Sequence, residues 1–148
     1  MREILFRAKT EPNSKDVITG EIIKNPKWVC GYVDLGYADV AIISSISGNR
    51  AYRCDPATVG QYTGLADKNG MKIFEGDIVR HHNDNPYALP SIFEKGKVYW
   101  DEQYCGWRRT SNGAFHHGED YTYRMSHECV YEVIGNIHDN PELFEEVQ

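Results

Sequence analysis

The sequence lacks any hydrophobic run that approaches the roughly 20 apolar residues needed to cross a bilayer. Its first nine residues, Met-Arg-Glu-Ile-Leu-Phe-Arg-Ala-Lys, are also too charged for the apolar segment of a secretory signal. We therefore expect no membrane partner and a cytoplasmic location.

The short motifs that carry common enzyme chemistry are missing as well. There is no Gly-x-Ser-x-Gly nucleophile turn, no Gly-x-x-x-x-Gly-Lys-[Ser/Thr] phosphate loop and no Gly-x-Gly-x-x-Gly dinucleotide fingerprint. We predict no catalytic residues, no cofactor and no enzymatic activity.

The spacing of the cysteine and histidine residues is not typical of a metal-binding site. The four cysteines are Cys30, Cys54, Cys105 and Cys129. None lies in a Cys-x-x-Cys pair, which structural zinc sites usually contain. We predict buried, reduced thiols and no metal site. The alternative, a metal-dependent enzyme, would use His116, His117 and a cysteine, although adjacent residues of a strand point to opposite faces.

Charge is spread unevenly along the chain. The formal net charge is −6, made up of about +2 over residues 1–54 and −8 over residues 55–148. Net acidity disfavours non-specific nucleic-acid binding, which needs positive potential over the contact face. A local basic face remains compatible with this total.

What the sequence does contain is a series of short apolar runs separated by turn residues, with little helical periodicity. The segment 62–80 shows this best, since Asn69-Gly70 and Gly76-Asp77 punctuate two such runs. Asn-Gly is a strong signal for a type I′ hairpin turn, in which both central residues have positive φ. We predict a mainly β fold of short antiparallel strands. The predicted strands cover residues 3–9, 17–23, 28–35, 37–46, 71–74, 78–82, 92–100, 104–110, 121–125 and 129–134.

Helix is expected at only two places. Asp55-Pro56 is typical of a helix N-terminus, and Gly60 ends that helix after one turn. Asn140-Pro141 opens a short C-terminal helix. The strand order of the C-terminal half resembles a small SH3-like barrel, which is an argument about fold alone.

The best surface candidate is a basic and aromatic pair of strands. Its residues are Lys95, Lys97, Trp100, Tyr104, Trp107, Arg108 and Arg109. Small β-barrels use such faces to stack bases and hold phosphates. We favour the interpretation that Trp100 and Trp107 belong to the core, because large aromatic residues on short strands usually pack inside. Exposed tryptophans would suit a protein partner equally well.

Three segments of the chain resemble the YopX family of phage and prophage proteins. The central one is Gln61-Tyr-Thr-Gly-Leu-x-Asp-Lys-Asn-Gly-x-x-Ile-x-Glu-Gly-Asp-Ile-Val. The start, Met1-Arg-Glu-Ile-x-Phe-Arg-Ala, and the end, Tyr131-Glu-Val-Ile-Gly-Asn-Ile-His-Asp-Asn-Pro-Glu-Leu, resemble the family's usual start and finish. The resemblance implies a phage or prophage origin, a bacterial host and a mostly β fold, and it implies no activity.

We therefore expect one YopX-like domain over residues 1–148, with two small β subdomains, 1–60 and 61–148, as the alternative division. The expected function is a non-catalytic accessory role in binding or assembly, with a protein partner or self-association as the leading expectation. The first alternative is a nucleic-acid-binding accessory protein that uses the basic and aromatic face.

Overall fold

The structure, a computed structural model, describes residues 3–37, 39–82, 95–111 and 121–145. It is mainly β, with 53% strand and antiparallel pairing throughout its ladders, which confirms the predicted fold class. The chain divides into two compact units, Met1–Tyr62 (unit 1) and Thr63–Gln148 (unit 2). In the described part of the chain, no helix combines the length and apolar character that crossing a membrane requires.

Unit 1 is an antiparallel sheet with a small hairpin beside it. Its strands are β1 (Phe6–Lys9), β2 (Ser14–Lys15), β3 (Ile22–Ile23), β4 (Trp28–Asp34), β5 (Ala41–Ser44), β6 (Ala51–Cys54) and the beginning of β7 (Gly60–Ala66). The main sheet has the order β6-β5-β4-β1-β7, and β2 pairs with β3. A 3-10 turn, Pro56–Thr58, precedes β7, with Asp55 accepting a hydrogen bond from the Ala57 N–H as the predicted N-cap.

Alternation along the strands of unit 1 separates a core face from an outward face. The core cluster is Ala8, Val29, Ala41, Ile43, Tyr52 and Cys54. Gly31 lies on the core side of β4, where a Cβ atom would collide with the carbonyl of Ser44 on β5. The close approach of these two strands therefore requires glycine.

The outer edge of β6 is covered by the segment that follows β1. Thr10 forms a bridge with Cys54, and the Glu11 N–H donates to the Arg53 carbonyl at 3.0 Å. The Asp55 N–H donates in turn to the Lys9 carbonyl. This edge is thus occupied by the chain itself.

A buried aspartate explains why the strand predicted over residues 17–23 is wrong except at Ile22–Ile23. Asp16 Oδ1 accepts hydrogen bonds from the N–H groups of Ile18, Thr19 and Ala51, at 2.9, 3.2 and 3.3 Å. These bonds fold residues 16–20 into a turn. Burial raises the pKa of the Asp16 carboxyl, but the three donors outweigh it, so the pKa lies below its ordinary value.

Unit 2 contains the end of β7, a second sheet and one helical turn. Its further elements are β8 (Lys72–Phe74), β9 (Asp77–His82), β10 (Lys95–Asp101), β11 (Gly106–Ser111), β12 (Tyr121–Arg124), β13 (Val130–Asn136) and α1 (Glu142–Glu145). Strand β8 pairs with β7 and is the sixth strand of the main sheet, and the second sheet has the order β12-β11-β10-β9-β13. Its core is Ile73, Val79, Val98, Trp107, Met125 and Tyr131.

The turn at Asn69-Gly70 differs from the type I′ turn that we predict from the sequence. Among the described non-glycine residues positive φ occurs only at Asn13 and Cys105, so Asn69 does not have it, whereas Gly70 has φ 81°. Asp67 and Met71 pair through the backbone, which leaves a three-residue loop with glycine in the left-handed position. Asp67 Oδ1 accepts from the N–H groups of Asn69 and Met71, both at 2.9 Å, and favours this longer loop.

Asp67 also ties the loop to β13. Its Oδ2 accepts a hydrogen bond from the Val133 N–H at 3.1 Å, and the Lys68 N–H donates to the Tyr131 carbonyl at 2.8 Å. Burial raises the pKa of the Asp67 carboxyl, but its three backbone donors outweigh this effect and lower the pKa overall. The central family-like segment is thus fixed by a buried carboxylate.

Candidate functional site

The strand register of unit 2 brings basic side chains onto one face of the second sheet. Directly opposite residues of an antiparallel pair share a face, and residues two apart on one strand do so too. Tyr99 lies opposite Arg108, and Arg108 lies opposite Arg124. On the other side of β10, Lys95 lies opposite Arg80.

We call this surface the basic face. Its Lys and Arg residues are Lys68, Arg80, Lys95, Lys97, Arg108 and Arg124. Residues 63–148 contain 8 Lys and Arg against 15 Asp and Glu, a net charge of −7. Five of the eight bases of an acidic unit therefore lie at strand positions of one face, and the loop residue Lys68 joins them through its ion pair with Glu132. The described strand positions of this face hold two acids, Asp101 and Glu132.

Glu132 organises one end of the basic face. Its Oε2 lies 2.8 Å from His82 Nε2, 3.5 Å from Lys68 Nζ and 4.0 Å from an Arg80 nitrogen. The His82 hydrogen bond lowers the pKa of the Glu132 carboxyl, and Lys68 adds to this effect. One carboxylate thus positions three side chains and offsets one of the two positive charges of Lys68 and Arg80.

Arg108 is held at the other end. Its guanidinium donates to the hydroxyl and carbonyl of Thr122, at 2.9 and 3.1 Å, and lies 3.8 Å from Asp101 Oδ2. It also stacks over the Tyr104 ring at 4.7 Å, and Tyr104 is 64% exposed. An arginine fixed by several bonds presents its charge with little further loss of side-chain entropy.

The opposite face of β11 is buried in the core of unit 2. Trp107 and Arg109 are only 9% and 4% exposed, and Arg109 stacks over the Tyr123 ring at 4.7 Å. Trp100 makes an edge-on contact with Trp107, with ring centroids 5.1 Å apart, and is itself 39% exposed.

The structure therefore divides the seven candidate residues between two faces. Lys95, Lys97 and Arg108 lie on the basic face, and Tyr104 reaches it from the turn after β10. Trp107 and Arg109 lie on the core face, with Trp100 at its margin. Trp107 is thus placed for packing rather than for stacking a ligand.

Sequence reasoning missed half of the basic face. Lys68, Arg80, Arg124, His82 and Glu132 belong to it but lie outside the hairpin on which the prediction concentrated. Arg80 and His82 alternate along β9, a signal that was present in the sequence. The sequence does not show that β9 pairs with both β10 and β13. That pairing aligns these residues with Lys95 and Glu132.

The cysteines do not all match the expected buried thiols. Cys54 is buried and Cys129 is half-buried, but Cys30 and Cys105 are exposed, so that expectation is wrong for these two. None of the four is joined in a disulfide. In the portion of the chain that is described, no three His, Cys, Asp or Glu side chains come together as metal ligands. The predicted alternative ligands His116 and His117 lie outside the described residues.

These features define a small antiparallel β protein with a charged sheet face. The chain belongs to the YopX family, because the family model described as YopX protein matches residues 6–145, nearly its whole length. This finding confirms the resemblance of the three sequence segments.

Comparison with solved structures finds a similar chain in the crystal structure of protein EF1440 from Enterococcus faecalis. The identity is 24%, with 97% of this chain and 99% of that chain covered, and the TM-score is 0.42. No curated protein matches the sequence.

Proposed function

We propose that this YopX-family chain is a non-catalytic binding protein that holds single-stranded nucleic acid on the basic face of unit 2. The family resemblance supports a phage- or prophage-encoded accessory role in the cytoplasm of a bacterial host. The observation that carries the proposal is the concentration of five Lys and Arg residues on one sheet face of an otherwise acidic unit, with Lys68 beside them.

Phosphate groups fit this face better than an apolar partner does. Lys and Arg neutralise phosphates and release counterions, which supplies most of the affinity of sequence-independent binding. Tyr104 adds an exposed ring beside Arg108, as in proteins that track a single strand by charge and stacking. Single strands are the better ligand because the net charge of −6 opposes approach to the denser charge of a duplex.

The test is binding of a fluorescein-labelled oligothymidylate, followed by anisotropy at several salt concentrations. The double variant K97E/R124E replaces two positive charges of the face with two negative ones, and K15E/K72E changes the net charge equally elsewhere. We expect K97E/R124E to weaken binding at least tenfold at low salt and to reduce the log–log salt slope by about 1.4, since each phosphate contact contributes about 0.7 on single strands. The control variant should keep the wild-type slope.

Two results would contradict the proposal. No binding by the wild-type protein at low salt would eliminate nucleic acid as the ligand. Equal weakening by both double variants would show that net charge, rather than this face, governs binding.

Self-association is a second candidate because unit 1 exposes apolar side chains on its small hairpin. Val17, Ile18 and Ile22 are 58%, 57% and 58% exposed, and they lie close together in sequence around the 16–20 turn. We expect V17T/I18T/I22T to lower the apparent mass in light scattering if this hairpin joins copies of the chain. A wild-type protein that is monomeric at high concentration would exclude the idea.

We also propose that the second sheet of unit 2 curls into the predicted SH3-like barrel. Strands β12 and β13 lie at opposite ends of the strand order, about 19 Å apart in a flat sheet. Only residues 125–129 join them, and a Cys129–Ser126 backbone hydrogen bond makes that loop compact. Nuclear Overhauser contacts between β12 and β13 would support closure, and separations near the flat-sheet value would contradict it.

A further inference from the structure

Strand β4 of unit 1 presents aromatic side chains on its outward face. Alternation puts Trp28, Cys30 and Tyr32 on this face, whereas Val29 and Val33 pack toward the core. Cys30 is exposed, and Tyr32 is 57% exposed. The core of unit 1 thus makes little use of the Tyr32 ring.

Neighbouring strands add positive charge to the same face. Arg7 lies opposite Cys30, and Lys9 lies opposite Trp28. The Arg7 guanidinium stacks over the Trp28 ring at 4.7 Å. On the other side of β4, Arg53 reaches the face through its pairing with Ile42.

This pattern differs from the basic face of unit 2. Three bases, Arg7, Lys9 and Arg53, share the face with one acid, Asp34, among the described strand positions. Trp28 and Tyr32 are four residues apart on one strand, about 13 Å, a span that several nucleotides can cover. Flat rings flanked by Lys and Arg are the arrangement by which small β folds stack bases along a single strand.

We infer that the outward face of β4 is a stacking surface for the unpaired bases of single-stranded nucleic acid. The inference takes its ligand class from the proposed function but uses a different surface and a different part of the ligand. The basic face of unit 2 supplies mainly phosphate contacts with Tyr104 as its one exposed ring, whereas the β4 face supplies base contacts through Trp28 and Tyr32.

The experiment compares an oligothymidylate with an abasic deoxyribose-phosphate strand of the same length. Both carry the same phosphates, so only base stacking separates their affinities. We expect the wild-type chain to bind the oligothymidylate at least tenfold more tightly. Y32A should lose roughly tenfold in affinity for the oligothymidylate, keep its affinity for the abasic strand and keep the salt slope.

A matched control uses Tyr37, which is 56% exposed and follows β4 rather than lying on it. Y37A should bind both strands as the wild type does. W28F, which preserves an aromatic ring, should retain most of the preference for bases. Thermal unfolding of each variant confirms that the compared proteins are folded.

Each contrary outcome has a distinct meaning. Equal wild-type affinity for the two strands would overturn this inference and leave the phosphate-binding proposal standing. No binding of either strand would overturn both. If Y32A changes self-association while its oligothymidylate affinity stays at the wild-type value, the face is a protein contact and the inference is wrong.

Discussion

Unit 1 and unit 2 are built in the same way but expose different side chains. Each has an antiparallel sheet, one apolar cluster and one buried aspartate that fixes a hairpin loop to a neighbouring strand. Of the eleven exposed large hydrophobic residues among those described, eight lie in unit 1 and three in unit 2. The outward sheet face of unit 2 is instead dominated by Lys and Arg.

This difference shows that architecture and surface chemistry are set by separate residues. The core positions of both units follow the same rule, because buried residues alternate with outward ones along β4 in unit 1 and along the first half of β10 in unit 2. The outward positions lie outside the apolar clusters, so aromatic residues can occupy them in one unit and basic residues in the other. Both units contain a close contact between two strands at a glycine, and these contacts provide the first test.

The largest expected effect comes from filling the close strand contacts. A Cβ atom at Gly31 would collide with the Ser44 carbonyl, and one at Gly96 would collide with the Thr110 carbonyl. We expect G31A and G96A each to lower the free energy of unfolding by about 3 kcal/mol, because a backbone atom cannot yield as a side chain can. Urea denaturation followed by circular dichroism measures this loss.

Two other glycines provide the controls. A Cβ atom at Gly106 would make only an ordinary contact with the Tyr104 carbonyl, and one at Gly36 would meet only the Asp34 side chain at 3.1 Å. Neither has positive φ. G106A and G36A should therefore unfold within about 0.5 kcal/mol of the wild type. Equal losses for G96A and G106A would show that the β10–β11 approach is less constrained than the structure indicates.

The next effect tests whether the buried aspartates are equivalent. D67A leaves three backbone N–H groups without their acceptor, and D16A does the same in unit 1. We expect each to cost about 2 kcal/mol of unfolding free energy. D39A, at an exposed position, should change it by less than about 0.5 kcal/mol. A decrease in unfolding free energy in only one of D16A and D67A would show that the two aspartates are not equivalent.

The same carboxylates make the free energy of unfolding depend on pH, and it decreases as the pH is lowered. The pKa values of Asp16 and Asp67 are lower in the folded chain than the ordinary value of 3.8. Their stabilisation is therefore complete above that value and is lost as pH falls through the folded-state pKa. Unfolding free energy should decline below about pH 4 in the wild type and decline less steeply in D67A. Parallel slopes for the two proteins would contradict this assignment.

Several elements were predictable from the sequence for clear physical reasons. Strand β4 was predicted over residues 28–35 and is observed over Trp28–Asp34, because its β-rich run is bounded by Asn25-Pro26 and Gly36. The N-cap at Asp55 followed from the proline after it. Both signals come from residues adjacent in the sequence, so they do not depend on which strands pair.

Strands β6 and β7 were not predicted, since their signals are not local. Residues 51–54 contain arginine and cysteine in a four-residue run, and they become a strand by pairing with β5 and with the segment after β1. Gly64 weakens the strand signal of residues 60–66, but β7 continues through it with φ 88°. Half of the Lys and Arg residues of the basic face were not predicted for the same reason. Their position on one face depends on which strands are neighbours in the sheet.

The smallest expected effect concerns the thiols, because each unit has one exposed cysteine and the core of unit 1 contains a buried one. Cys30 in unit 1 and Cys105 in unit 2 are exposed, whereas burial raises the pKa of the Cys54 thiol to about 12. The thiolate is the reactive species, so at pH 8 roughly one Cys54 in ten thousand is reactive. We expect N-ethylmaleimide to modify Cys30 and Cys105 within minutes and Cys54 only in urea, with peptide mass spectrometry as the readout. Modification of Cys54 at the rate of Cys30 would mean that the core of unit 1 opens readily.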